Sequence, residues 1–128
     1  MRAKLVKEAL NESHIGADTS WTADYKGKEI TVSLKDVNNY LDKKNVEVQL
    51  IDPESVKNLL IDAKRDEKRV QAASLDYPIL VTKKDGKFTK VLDGQHRVVK
   101  ALHNNINKIK TRILDLDSSP NSFKFIFR

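Results

Sequence analysis

The sequence contains no cysteine, four glycines and few aromatic side chains. Without cysteine there can be no disulfide framework, no thiolate zinc site and no cysteine nucleophile. The glycines fit neither G-x-x-x-x-G-K-[ST] nor G-x-G-x-x-G, which excludes a P-loop and a dinucleotide-binding loop. No apolar run approaches the ~18 residues of a membrane span, and the N-terminus lacks the apolar stretch of a signal peptide. The default expectation is a cytoplasmic protein with no membrane partner.

What the sequence does contain is positive charge concentrated in one segment. The 128-residue chain has a net charge of +6, and residues 83–112 alone hold nine Lys or Arg against two Asp, a net of +7. Such a segment suggests a surface that faces phosphates. The alternative is a set of lysines that solvate a sheet edge and discourage edge pairing. The candidate nucleic-acid-binding residues are Lys83, Lys84, Lys87, Lys90 and Lys100.

Hydrophobic spacing and turn residues predict the elements of the first third of the chain. Apolar residues at helical spacing predict a short amphipathic helix over 2–11. A Lys26-Gly27 turn between two β-rich runs predicts a hairpin. Ser33, followed three residues later by Asp36, resembles a capping box that opens a short helix.

The rest of the chain mixes strands and helices, which indicates the α+β class. The predicted elements are a strand at 46–50, two helices or one broken helix across 53–74, a hairpin around Asp85-Gly86, a helix at 95–103 and a strand at 108–116. In the tail, 122–128, phenylalanines alternate with other residues. This alternation predicts a last strand or a sticky tail that binds a protein partner.

One stretch, at the start of the predicted helix 95–103, carries a pattern that suits anion binding. Gly94 lacks a Cβ, so backbone amides can approach a ligand closely. A helix start offers N–H groups and a partial positive charge, and Arg97 adds a planar fork for bidentate contact with phosphate. Asp93 can cap the helix. A plain amphipathic helix with a capped start would show the same pattern, so the residues alone leave both readings open.

The run Asp93-Gly94-Gln95-His96-Arg97 resembles the D-G-x-H-R motif of the ParB/sulfiredoxin superfamily. The resemblance extends to 78–81 before the motif and to 50–54, which look like the superfamily's first strand and turn. Residues 66–70 are similar to its D-E-x-R-V helix start, and about residues 46–117 are covered.

This resemblance implies a fold and a division of the chain. Residues 46–128 would form a ParB/sulfiredoxin-like domain, a mixed sheet flanked by short helices. Residues 1–45 would be an extension of helix, hairpin and short helix packed on that domain, so that the chain forms one compact domain overall.

The resemblance also implies a nucleotide site. Superfamily members include partition proteins that clamp DNA, sulfiredoxins, free serine kinases, kinases of modified bases in phage DNA, and proteins labelled nucleases. The implied phosphate-binding residues are Arg65, Gly94, Gln95, His96 and Arg97. In the kinase branch a glutamate near the position of Glu54 is the general base, assisted by the residues equivalent to Asp93 and His96. Magnesium would arrive with a nucleoside tri- or diphosphate, and Asp93 is the candidate ligand.

The chain departs from two branches of the superfamily. Gln95 replaces the motif cysteine of sulfiredoxins, which excludes sulfinic-acid reduction, and the partition proteins' helix-turn-helix and dimerisation domains are missing. Three hypotheses follow. The first is an ATP- or CTP-dependent kinase or NTPase. The second is a DNA-binding or DNA-cleaving ParB-like nuclease module. The third is a non-enzymatic interaction protein, such as a phage-encoded one, that kept the fold.

Overall fold

The computed structural model describes residues 4–7, 19–61 and 67–128. The fold is α+β, as the sequence predicts. The chain divides into two compact units, which we name by their place in the sequence. The terminal unit is Met1–Val46 with Leu116–Arg128, and the central unit is Glu47–Asp115. No helix in the described residues has both the length and the apolar character needed to cross a bilayer.

The terminal unit is built on an antiparallel sheet. Its strands, in order across the sheet, are β1 (Lys4–Lys7), β2 (Thr19–Tyr25) and β3 (Lys28–Ser33). Lys26 and Gly27 both have positive φ, 50° and 81°. A two-residue turn of this kind matches the twist of the strands that it joins, so the predicted hairpin is confirmed.

Two helices cover this sheet. They are α1 (Leu34–Lys43) and α4 (Asn121–Phe127), and both pack against β2 and β3. At the start of α1, the amide of Asp36 donates to Ser33 Oγ (3.0 Å) and the amide of Ser33 donates to Asp36 Oδ2 (2.9 Å). The predicted capping box is therefore confirmed.

The helix predicted over 2–11 is wrong where the structure describes it, because Lys4–Lys7 is a strand. Leu5 lies opposite Trp21 in the antiparallel register of β1 and β2. Apolar residues next to each other suit a strand as well as a helix turn, and β2 supplies hydrogen-bond partners for the backbone groups of this edge strand that point toward it.

The strand predicted for the tail is also wrong, because the residues form α4. Phe123, Ile126 and Phe127 are buried, at spacings of three and four residues that place them on one helical face. The ring of Phe127 packs edge-on against Trp21, with centroids 5.1 Å apart. The tail therefore contributes Phe123, Ile126 and Phe127 to the core of the terminal unit, whereas the sequence assigned it to a domain over 46–128. Binding of a protein partner by the tail stays a prediction.

The central unit contains a mixed sheet in the order β4-β7-β5-β6. Its strands are β4 (Gln49–Ile51), β5 (Ile79–Lys84), β6 (Lys87–Asp93) and β7 (Ile109–Asp115). β5 pairs antiparallel with β6 and parallel with β7, and β4 pairs antiparallel with β7. The predicted strand at 46–50 is shifted: Val48 and Leu50 are exposed, and Ile51 packs against the core.

Three helical segments accompany this sheet. They are a 3₁₀ helix (Pro53–Leu59), α2 (Glu67–Ala72) and α3 (Gln95–His103). Asp52 Oδ1 accepts from the amide of Glu54 (2.9 Å), which confirms the predicted helix start before Pro53. Val56 of the 3₁₀ helix and Val98 of α3 lie in one buried cluster with Ile79 of β5. This shared core fixes both helices beside the end of β6.

Candidate functional site

The candidate site is the corner where β6 passes into α3. Gly94 forms this corner with φ = 93°, in the left-handed region that L side chains rarely adopt. A Cβ at this position would lie 2.7 Å from Ile79 Cγ2 and 2.9 Å from Arg97 Nη1. The corner therefore requires glycine for its backbone conformation and for its packing against Ile79 and Arg97.

Asp93 does not cap α3, contrary to the prediction. Gly94 occupies the N-cap position, where there is no side-chain hydrogen bond, and Asp93 is the last residue of β6, opposite Leu80. Its carboxylate oxygen Oδ2 lies 3.9 Å from Arg97 Nη1. The positive φ of Gly94 ends β6 at Asp93 and starts α3 at Gln95, so Gly94 lies between them as the N-cap residue.

The guanidinium of Arg97 is held by the protein on several sides. Nη1 donates to the carbonyl oxygen of Pro78 at 2.9 Å, and the guanidinium carbon lies 5.7 Å from the ring centroid of Tyr77. The side chain is 16% exposed. No described residue accepts a hydrogen bond from Nε or Nη2. Arg97 is thus immobilised through one nitrogen, and two nitrogens remain as donors toward an anion.

Gln95 has a partner within the protein as well. Its Oε1 accepts a hydrogen bond from the amide of Ile61 at 2.8 Å. This contact ties the first residue of α3 to the chain that follows the 3₁₀ helix. The side chain of Gln95 therefore has a structural role, while helix geometry leaves its backbone amide without an intrahelical acceptor. The amides of Arg97 and Val98 both donate to Gly94 O, at 3.0 and 3.2 Å.

Three other residues were predicted for catalysis or phosphate binding, namely His96, Glu54 and Arg65. His96, half-buried, is the second residue of α3. Glu54 lies in the 3₁₀ helix that packs against β6 and α3, but its exposed carboxylate is paired with Lys57 at 3.7 Å. Within the described residues, Glu54 forms no hydrogen bond or ion pair with Asp93 or His96. Arg65 lies outside the described residues.

Four of the predicted nucleic-acid-binding lysines lie on the β5–β6 hairpin, and we call Lys83, Lys84, Lys87 and Lys90 the hairpin lysines. Lys84 and Lys87 are directly opposite each other across a turn in which Asp85 and Gly86 have φ of 52° and 79°. None of Lys83, Lys84 and Lys87 forms an ion pair with a described residue. Like charges placed opposite each other destabilise a hairpin slightly. The repulsion between Lys84 and Lys87 therefore lowers the stability of this end of the sheet.

Lys100, the fifth predicted lysine, has a structural role. Its ammonium donates to the carbonyl oxygens of Gln71 (2.8 Å) and Ala73 (2.7 Å) at the C-terminal end of α2. A cation at a helix C-terminus satisfies carbonyls that lack intrahelical donors and interacts favourably with the helix dipole. Lys100 therefore joins α3 to α2, whereas Lys83, Lys84 and Lys87 form no such contact with described residues.

Sequence reasoning missed Tyr77, which is 60% exposed and lies against the guanidinium of Arg97. An aromatic residue directly before the Pro78 that enters β5 was the available signal.

Among the described residues, no three His, Asp or Glu side chains lie together as a metal site. No protein-family model, curated protein or solved structure matches the chain.

Proposed function

We propose that this protein binds a nucleotide at the β6–α3 corner and acts in phosphoryl transfer or nucleotide hydrolysis, as a member of the ParB/sulfiredoxin superfamily. The observation that carries the proposal is the immobilised guanidinium of Arg97, which keeps two nitrogens as donors beside a glycine corner and a helix start. A fixed planar cation next to helix amides suits a phosphate group.

In this proposal each residue of the corner has a role. The backbone amide of Gln95 and the guanidinium of Arg97 bind phosphate oxygens, and His96 stabilises charge on the transferring phosphoryl group. Glu54 accepts the proton of the attacking hydroxyl or water while the new O–P bond forms and the bond to the leaving phosphate breaks. The exposed ion pair of Glu54 with Lys57 opposes this role little, because such pairs contribute about 0–1 kcal/mol. Asp93 would supply the carboxylate for a magnesium ion that arrives with the phosphates.

Thermal unfolding in the presence of ATP, ADP or CTP tests this proposal. A ligand at 100 times its Kd stabilises the folded state by about 2.7 kcal/mol, which raises Tm by several degrees. The increase should disappear in His96→Ala and Arg97→Ala, with the ligand-induced difference measured within each variant so that changes in basal stability cancel. His103→Ala is the matched control, because it removes the same side chain about 10 Å further along α3. If no nucleotide raises the Tm of the wild type, the proposal fails.

We propose DNA binding as the second candidate function, because the hairpin lysines concentrate charge that described residues do not neutralise at Lys83, Lys84 and Lys87. Affinity for duplex DNA should then fall steeply with salt, and the slope should decrease by about 0.9 for each phosphate that the variant no longer neutralises. The double variant Lys84→Gln/Lys87→Gln tests this, and Lys35→Gln/Lys43→Gln on α1 removes the same charge elsewhere.

Two outcomes count against the second function. Equal slopes for both double variants would assign the affinity to net charge alone. DNA cleavage that survives the loss of Asp93, His96 and Glu54 would indicate a contaminating nuclease.

A further inference from the structure

Two aromatic rings lie at the surface of the terminal unit, away from its buried aromatic core. Tyr25 ends β2 and is 42% exposed, and it contacts the half-buried Phe125 of α4. Their ring centroids are 4.7 Å apart at an interplanar angle of 71°. Trp21 and Phe127, by contrast, are at most 9% exposed and fill the core between the sheet and α4. Tyr25 and Phe125 therefore lie outside the buried core that Trp21 and Phe127 form.

Cations surround this outer pair. Lys26 Nζ lies 5.3 Å from the ring centroid of Tyr25, and the guanidinium of Arg128 lies 4.5 Å from that of Phe125. Lys28 is directly opposite Tyr25 in the β2–β3 register. None of these three cations forms an ion pair with a residue in the described part of the chain. We call Tyr25, Lys26, Lys28, Phe125 and Arg128 the aromatic patch.

The nearest acidic residues along these strands belong to the other face of the sheet. Asp24 and Glu29 are opposite each other one position further from the turn. Because successive strand residues alternate between faces, these carboxylates lie on the opposite side from Tyr25 and Lys28. The aromatic patch therefore presents rings and positive charge without an acidic neighbour on its own face of the hairpin.

We infer that the aromatic patch binds single-stranded nucleic acid, with a base stacked on Tyr25 and phosphates paired with Lys26, Lys28 and Arg128. Exposed rings combined with cations match a ligand that offers flat π faces and regularly spaced negative charge. A duplex does not fit, because its bases are stacked within the helix and cannot reach the rings. This inference is independent of the proposed nucleotide site, which lies in the central unit.

Binding of a fluorescein-labelled oligothymidylate to the full chain, followed by anisotropy at low salt, tests the inference. Tyr25→Leu keeps an apolar contact with Phe125 but removes the aromatic face, and it should weaken binding at least fivefold, while Tyr25→Trp keeps the affinity. Lys26→Gln/Lys28→Gln should lower the salt slope by about 0.7 for each phosphate left without its cation. Lys124→Gln is the control, because it removes one exposed charge of the same helix that is not part of the aromatic patch. It should leave both the affinity and the salt slope close to those of the wild type.

Three results would overturn the inference. One is a wild type that does not bind the oligothymidylate. Another is a Tyr25→Leu variant that binds it as tightly as the wild type while circular dichroism shows the native fold. The third is a competition experiment in which unlabelled duplex of the same length displaces the oligothymidylate as effectively as unlabelled single strand.

Discussion

Arg97 and Pro78 are joined by a hydrogen bond of 2.9 Å from the guanidinium Nη1 to the carbonyl oxygen, across nineteen positions of the sequence. The bond ties the start of α3 to the chain that enters β5. It gives Arg97 a structural role beside the proposed role in phosphate binding, and the two roles can be separated by experiment.

Arg97→Met should lower the free energy of unfolding by about 1.5–3 kcal/mol with no nucleotide present, because it removes a hydrogen bond from a charged donor that is mostly shielded from water. Urea unfolding measures the decrease. Lys57→Met, which removes an exposed cation of the neighbouring 3₁₀ helix, should stay within about 0.5 kcal/mol of the wild type. Equal stabilities for the two variants would mean that the hydrogen bond to Pro78 contributes nothing.

Gly94→Ala should be more destabilising than Gly86→Ala. Both glycines have positive φ, which costs an L residue about 1–2 kcal/mol, but only at Gly94 would the new Cβ meet a neighbour closer than 3.0 Å. Overpacking against Ile79 should add about 1–3 kcal/mol. Urea midpoints of the two variants measure the difference, and identical midpoints would show that Ile79 and Arg97 move aside without cost.

Phe127→Ala should lower the free energy of unfolding by about 3–5 kcal/mol, because this ring is 1% exposed and packs against Trp21 and Phe123. Lys124→Ala, an exposed residue of the same helix, should change it by less than about 0.5 kcal/mol. Thermal unfolding distinguishes the two. A small decrease for Phe127→Ala would contradict the placement of α4 in the core of the terminal unit.

Lys100→Met should lower the free energy of unfolding, whereas Lys84→Met should leave it unchanged or raise it slightly. The first removes two hydrogen bonds to carbonyls at the end of α2 and should cost about 1–3 kcal/mol. The second relieves the repulsion with Lys87 and should be neutral or slightly stabilising. Urea is the appropriate denaturant because guanidinium chloride would screen these charges. A destabilisation by Lys84→Met as large as that by Lys100→Met would contradict the difference between them.

Local signals predicted the elements that depend on local chemistry. The Asp85-Gly86 turn identified the β5–β6 hairpin, and the glycine at the end of β6 marked the start of α3 at Gln95. Both features depend on residues that can adopt a positive φ, and such residues are visible in a sequence. The capping box of Ser33 and Asp36 was also predicted from local chemistry, because two side chains three residues apart form it.

The form of the tail and the side-chain partners at the candidate site depend on tertiary contacts, which the sequence does not show. The phenylalanines of the tail fit a strand by their alternation, whereas Phe123, Ile126 and Phe127 fit a helix by spacings of three and four. The structure has the helix, which places Phe127 against Trp21 in the core. At the candidate site, the sequence predicted that a strand passes into a helix at 93–97, but it did not predict the partners of the side chains there. Lys100 meets α2 and Gln95 meets Ile61 only because the fold brings distant segments together.

The division of the terminal unit between two stretches of sequence has a consequence for synthesis. Residues 47–115 leave the ribosome as one continuous segment that contains all the strands and the core of the central unit. The sheet of the terminal unit emerges first, yet it must wait for α4 to supply Phe123, Ile126 and Phe127. During translation the strands of the terminal unit therefore precede the central unit, but their core is completed only after it, and their apolar face lacks α4 throughout that interval.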